Sequence, residues 1–140
     1  MTAYQELKSK HQKEVDAFPL GFAFSNKQFA EMMEKWGLTE NDTDKIYSIG
    51  GGGYVLKTDA KAMNEMFKRH DQELREFRKQ QDNLYQMFVY EMFNHEYALS
   101  YDDETVLEVC GITLEELQTD KTISEAYRKA RKYVIENTEV

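Results

Sequence analysis

KIYSIGGGGYVLK, residues 45–57, contains two short β-prone runs separated by four consecutive glycines. Val, Ile and Tyr favour strands, and glycine adopts the turn conformations that other residues avoid. This spacing predicts a hairpin whose turn or bulge is formed by Gly50, Gly51, Gly52 and Gly53. Upstream, the aromatic run 18–24 with Pro19 near its start predicts one further short strand.

Helical patterns flank the predicted strands. The spacing of a capping box marks three of the predicted helix starts, at Ser25 with Gln28, Thr113 with Glu116, and Thr122 with Glu125. The first of these predicts a helix that Gly37 ends in a left-handed conformation. Apolar stripes at helical spacing predict an N-terminal helix at residues 2–17 and a C-terminal helix at residues 122–137.

A helical stripe without Gly or Pro runs through residues 60–99. Such a helix would be about 60 Å long, whereas a compact domain of this size is only about 35–40 Å across. The helix therefore breaks near residues 80–83, projects from the domain, or pairs with a second copy of the chain. We favour a slightly bent helix that extends partly beyond the core.

These elements together predict a helix-dominated α+β fold. We expect a small antiparallel sheet of two or three short strands, including the glycine-rich hairpin, packed on a long central helix and on C-terminal helices. Since the sequence shows neither a linker nor an internal repeat, we expect residues 1–140 to form a single domain.

The charge balance narrows the classes of partner. The chain has 26 acidic and 18 basic residues, and its net charge of −8 disfavours direct binding to nucleic acid. A protein partner with a basic surface suits this charge better.

Because Cys110 is the single cysteine, an internal disulfide is excluded, and we expect a small buried residue rather than a reactive thiol. A helix that spans a membrane needs a run of about 18 apolar residues, and the sequence has none. We therefore expect no membrane span, and we expect the protein to be cytoplasmic.

Two motifs could carry chemistry. The four glycines could cradle an anion, but Gly-Gly-Gly-Gly-Tyr-Val-Leu-Lys lacks the Gly-Lys-Ser/Thr ending of a P-loop, so a turn is the better interpretation. Glu91 and His95 lie one helical turn apart and share a face, where they could pair or share a divalent metal. Asn94, Glu96 and Tyr97 complete this candidate patch.

The Glu91–His95 pattern leaves three interpretations open. It could be a structural pair near a helix C-terminus, a recognition patch, or a catalytic or metal site. Because no second His lies nearby in the sequence, the structural interpretation is favoured over a metal site. We therefore expect neither a cofactor nor a bound metal.

Three patches also occur in a familiar order: FAFSNKQF at 22–29, GGGGYVLK at 50–57 and NHEY at 94–97. Together they resemble a family of small uncharacterised proteins from bacterial genomes, phages and other mobile elements. The resemblance runs from about residue 18 to about residue 118 and implies no assigned activity. The first two patches serve folding needs, so residues 94–96 become the best functional candidates.

Three functions follow as hypotheses. The leading one is a non-enzymatic accessory protein of a phage or mobile element that binds another protein, for example to inhibit a host defence nuclease through an acidic surface. The second is a metal-dependent hydrolase or nuclease that uses Glu91, His95 and Glu96. The third is a structural homo-oligomer, such as a homodimer formed through the long helix. An enzyme is the less favoured class.

Overall fold

A computed structural model describes residues 1–139. Within that range the helices are α1 (Ala3–Ala17), α2 (Asn26–Lys35), α3 (Ala60–Phe77), α4 (Gln81–Asn94), α5 (Tyr97–Ser100), α6 (Asp103–Cys110), α7 (Leu114–Thr119) and α8 (Lys121–Glu136). The strands are β1 (Leu20–Phe22), β2 (Ile46–Gly50) and β3 (Gly53–Leu56), and short 3₁₀ turns precede β2 and α3. The predicted helix-dominated α+β class, with its small antiparallel sheet, is confirmed.

The chain separates into two compact units. The first, which we call the helical unit, consists of Met1–Lys8 together with the chain from Glu73 onward. The second, which we call the sheet unit, consists of Ser9–Gln72. Helices α1 and α3 each contribute residues to both units.

The sheet unit is built on three antiparallel strands in the order β1-β3-β2. Leu20 and Tyr47 both pair with Val55, and the register of β2 shifts between Ser48 and Gly50. Gly50, Gly51 and Gly52 all have positive φ, of 85°, 58° and 77°. The predicted hairpin with its glycine turn and bulge is confirmed, because only glycine adopts three such conformations in a row at low cost.

Helix α2 covers one face of the sheet. The side chain of Ser25 caps the helix by accepting a hydrogen bond from the amide of Gln28, at 3.2 Å. The carboxamide of Gln28 accepts from the amide of Phe24 instead of Ser25, so the capping box is displaced by one residue. Gly37 follows the helix with φ of 72°, as predicted. A small apolar core lies beneath the helix, formed by Ala23, Met32, Met33 and Ile46.

The helical unit has its core between α4 and α8, with α6 packed against α4. Phe88 and Met92 on α4 and Ala130 on α8 are fully buried. Small residues on α8 let the two helices approach closely. Cys110, at the end of α6, is a buried free thiol, as the sequence predicted.

The favoured continuous helix over residues 60–99 is wrong, and the alternative of a break is the one observed. Helix α3 ends at Phe77 and α4 begins at Gln81. The side-chain amide of Asn83 donates to the Phe77 carbonyl at 3.0 Å, and Arg78 donates to the Cys110 carbonyl at 3.1 Å. The first bond satisfies a carbonyl that a continuous helix would use internally. The second ties the residue that follows α3 to the end of α6. Helix α4 also stops at Asn94, because Glu96 has a left-handed backbone with φ of 52°.

The caps of the C-terminal helices were predicted in part. Thr113 and Glu116 form the expected reciprocal capping box at the start of α7. Thr122 does not open α8: the helix begins at Lys121, and Asp120 caps it by accepting from the Ile123 amide at 3.2 Å. Among residues 1–139, no helix combines the length and the apolar composition that crossing a membrane requires.

Candidate functional site

Glu91 is fully buried on the inner face of α4. The Tyr4 hydroxyl donates to its Oε2 at 2.7 Å, and Lys8 Nζ lies 3.0 Å from Oε2 and 3.2 Å from Oε1. Lys8 also lies over the Tyr90 ring, 5.2 Å from its centre. Burial, followed by the hydrogen bond to Glu91, raises the pKa of Tyr4 well above its ordinary value. A buried carboxylate needs such partners, and α1 supplies two of them.

His95 does not join this buried group. It is the residue that ends α4, it is partly exposed, and only its backbone amide bonds to Glu91, through the Glu91 carbonyl at 3.0 Å. Within residues 1–139 no hydrogen bond links the Glu91 and His95 side chains. The pairing that the i,i+4 spacing suggested is therefore replaced by pairing to Tyr4 and Lys8.

The remaining patch residues occupy different environments. Asn94 and Glu96 are exposed, whereas Tyr97 is buried. The Tyr97 hydroxyl donates to Asp103 Oδ1 and accepts from Arg131 Nε at 3.0 Å. The sequence-predicted residues thus divide between the buried Glu91 group, the solvent and a polar cluster at the start of α6.

Asp103 is the centre of that polar cluster. Its Oδ1 accepts hydrogen bonds from the hydroxyls of both Tyr97 and Tyr127. Burial, and then the hydrogen bonds to Asp103, raise the pKa of both tyrosines above the ordinary value. The side chain of Arg131 lies over the Tyr101 ring at 5.7 Å. The cluster anchors the first turn of α6 to α5 and α8.

The glycine turn belongs to the sheet unit. A methyl group added at Gly52 would lie 2.4 Å from Cε1 of Phe24, so the ring of Phe24 covers the turn. Phe24 itself is 75% exposed. The turn therefore allows an aromatic side chain to approach the backbone closely, which accounts for glycine at this position.

The side chains with metal-ligand chemistry do not converge. Among residues 1–139, no three His, Cys, Asp or Glu side chains are grouped so that they could hold a metal ion. Both oxygens of Glu91 are already engaged by Tyr4 and Lys8. The arrangement around Glu91 is suited to holding a buried charge rather than to binding a ligand.

An acidic groove lies along α6 and the start of α7. It has a volume of about 700 Å³ and is lined by Asp103, Glu104, Leu107, Glu108, Ile112 and Leu114. Leu107 and Ile112 form an apolar floor, while Leu114 is 60% exposed at the edge. We call this depression the acidic groove.

The acidic groove lies in the more acidic of the two units. The helical unit contains sixteen acidic and nine basic residues, whereas the sheet unit contains ten acidic and nine basic residues. Nearly all of the net charge of −8 is therefore carried by the helical unit.

Sequence reasoning did not identify the acidic groove. The apolar floor comes from residues on α6 and in the α6–α7 turn, which become neighbours only when the chain turns between these two short helices. Tyr4 and Lys8 were missed as partners of Glu91, because they precede it by 87 and 83 residues. The one available signal was the helical stripe that contains Tyr4.

Comparison with known proteins found no match among curated proteins and none among solved structures. A family model described as a family of unknown function, DUF7659, matches residues 3–133. This match covers α1 to α7 and most of α8, and includes Glu91 and the acidic groove. The chain therefore belongs to this family of unknown function.

Proposed function

We propose that this protein acts by binding another protein, without catalysis, and that the acidic groove is its binding surface. The preferred occupant is a partner segment that presents Lys or Arg side chains beside an apolar residue. The observation that carries the proposal is the groove itself, in which Asp103, Glu104 and Glu108 surround an apolar floor.

The two components of the groove have different roles in binding. The carboxylates, and the acidic helical unit around them, attract a basic segment over distances of about 8–10 Å at physiological salt. The apolar floor and the exposed Leu114 provide surface whose burial stabilises the complex once it has formed. Charge thus favours the encounter and excludes acidic partners, while the apolar contact supplies affinity.

The setting of this interaction follows from the family resemblance. An accessory protein of a phage or mobile element can block a host protein by covering the basic surface with which that host protein binds its own ligand. Nucleic-acid-binding proteins carry such surfaces, since they neutralise phosphates with Lys and Arg. The inhibition of a host defence nuclease in the cytoplasm is the concrete version of this proposal.

The test uses a synthetic amphipathic peptide with Arg and Leu on one helical face. Binding is measured by isothermal titration calorimetry at low and high salt. The double variant Glu104→Lys/Glu108→Lys is expected to weaken binding at least about tenfold, equivalent to about 1.4 kcal/mol. The matched control Glu136→Lys/Glu139→Lys makes the same change in net charge, at the last residue of α8 and three residues beyond it. This control should bind with nearly the affinity of the wild type.

Two results would overturn the proposal. One is equal weakening by both charge-reversal pairs, which would mean that net charge acts without a defined site. The other is binding of an acidic Glu/Leu peptide as tightly as the basic peptide. A host-lysate pull-down with the same three proteins then asks whether a natural partner depends on Glu104 and Glu108.

A further inference from the structure

A second depression in the helical unit has a different chemistry from the acidic groove. It lies where the outer face of α4 meets α8, and its volume is about 590 Å³. Its principal side chains are Tyr85, Gln86, Tyr90, Phe93, Asn94 and Tyr133. All of its lining residues have neutral side chains at pH 7, even though the unit around it is strongly acidic. We call it the aromatic pocket.

The aromatic rings of this pocket are arranged edge to face. Tyr133 contacts Tyr85 with ring centres 6.4 Å apart, and it contacts Phe93 at 6.2 Å with an angle of 85° between the ring planes. Phe93 and Tyr133 are 43% and 45% exposed. Aromatic rings in this geometry leave faces and edges open to a further flat ring. The pocket therefore presents aromatic surface against which a planar ring can pack.

Gln86 adds a polar feature that folding does not explain. Its Oε1 atom is buried and has no hydrogen-bond partner within residues 1–139. Buried acceptors are nearly always paired, because an unpaired one is costly. The terminal torsion of a Gln side chain has a broad energy profile, so rotation about χ3 can turn this oxygen toward a donor in the pocket. The exposed carboxamide of Asn94 lies at the same site.

We propose that the aromatic pocket binds a neutral, flat heteroaromatic small molecule whose ring N–H donates a hydrogen bond to Gln86 Oε1. The aromatic lining selects a planar ring, and the unpaired carbonyl selects an N–H donor. The lack of charge on the lining side chains selects against phosphorylated or carboxylated compounds, since it offers them no counter-charge. This site lies on α4 and α8 and does not depend on the acidic groove of α6 and α7.

The test compares indole with 1-methylindole, which has the same ring system without the N–H donor. Affinities are measured by NMR titration of the full chain. The wild type is expected to bind indole about tenfold more tightly than 1-methylindole, since an unpaired buried acceptor discriminates strongly against a ligand without a donor. Gln86→Met keeps the length of the side chain but removes its carbonyl, so this preference should disappear. The control Gln118→Met makes the same substitution at an exposed position of α7 and should retain the preference.

A second variant keeps the proposal testable if Gln86→Met is poorly folded. Phe93→Ala removes an exposed ring. This variant should bind indole and 1-methylindole more weakly than the wild type does, by about the same factor for both compounds. Equal affinity of the wild type for indole and 1-methylindole would overturn the proposal, as would unchanged binding in Phe93→Ala. Tighter binding of N-acetyltryptophanamide than of indole would also overturn it, because the pocket would then hold a tryptophan side chain of a partner protein.

Discussion

The hydroxyl of Tyr4 donates a 2.7 Å hydrogen bond to the fully buried carboxylate of Glu91, 87 residues further along the chain. Because hydrogen bonds to a charged group contribute about 1.5–3 kcal/mol, Tyr4→Phe should lower the free energy of unfolding by roughly this amount. Urea unfolding followed by circular dichroism measures the loss.

The control for this prediction is Tyr101→Phe. Tyr101 is 53% exposed, and its hydroxyl makes no hydrogen bond within residues 1–139. This variant should unfold within about 0.5 kcal/mol of the wild type, as do most surface substitutions. If the two Tyr→Phe variants were equally stable, the Tyr4–Glu91 bond would not contribute to stability.

Glu14 provides a prediction about acid. Hydrogen bonds from Arg69, and then the contact of His70 Nε2 at 3.0 Å, lower the pKa of Glu14 from 4.5 to about 2. The folded state holds this carboxylate ionised more strongly than the unfolded state does. The resulting stabilisation is complete above about pH 4.5 and is lost as the pH falls toward 2.

The measurement is an NMR titration of the Glu14 carboxyl carbon. A midpoint near 2 is expected in the wild type, and Arg69→Gln should raise it because the strongest partner has been removed. Glu14→Gln should lose less stability than the wild type between about pH 5 and about pH 2. A wild-type midpoint near 4.5 would contradict this account.

Gly21 offers a packing test within the sheet unit. A methyl group at this position would lie 2.5 Å from the sulfur of Met32 and 2.7 Å from Cη2 of Trp36. Overpacking of this kind costs about 1–3 kcal/mol, so Gly21→Ala should be destabilised and should shift the emission of Trp36, the single tryptophan.

Gly51→Ala is the matched control for the packing test. Gly51 has φ of 58°, and a methyl group there would meet no atom within 4 Å. This variant should lose about 1–2 kcal/mol from backbone strain while leaving the Trp36 emission unchanged. Unchanged emission in Gly21→Ala would show that α2 accommodates the added methyl group without moving Trp36.

Cys110 should resist thiol reagents. Burial, and then the nearby charge of Glu91, raises its pKa to about 12. At pH 8 only about one thiol in ten thousand would be ionised even with free access to solvent, and the thiolate is the reactive form. Labelling by Ellman's reagent should therefore be slow in the native protein and rapid in urea. Rapid labelling of the native protein would mean that the end of α6 opens readily.

The glycine turn could be predicted because its cause is local. Three successive residues with positive φ require glycine, so a four-glycine run between β-prone segments predicts the hairpin almost by itself. The box at Thr113 and Glu116 is local in the same sense. Both structures depend on residues that are close together in the sequence, so both could be predicted from it.

The break between α3 and α4 could not be predicted with the same certainty. The apolar stripe continues through it, and part of its stabilisation comes from Arg78, which reaches the Cys110 carbonyl 32 residues away. The side chains around Glu91 could not be predicted either, because they too come from residues that are distant in the sequence. Its spacing to His95 is visible in the sequence, but the partners that take its carboxylate lie on α1. Tertiary contacts decided both cases.

The long separation between Glu91 and its partners on α1 also constrains the order of events during synthesis. Tyr4 and Lys8 leave the ribosome well before Glu91. More than eighty further residues must be synthesised before these two side chains on α1 can form their hydrogen bonds to the Glu91 carboxylate. Contacts between distant parts of a chain slow folding, because a large loop must close first. The nascent N-terminal segment therefore exposes the face of Tyr4 to chaperones and proteases until α4 has been translated.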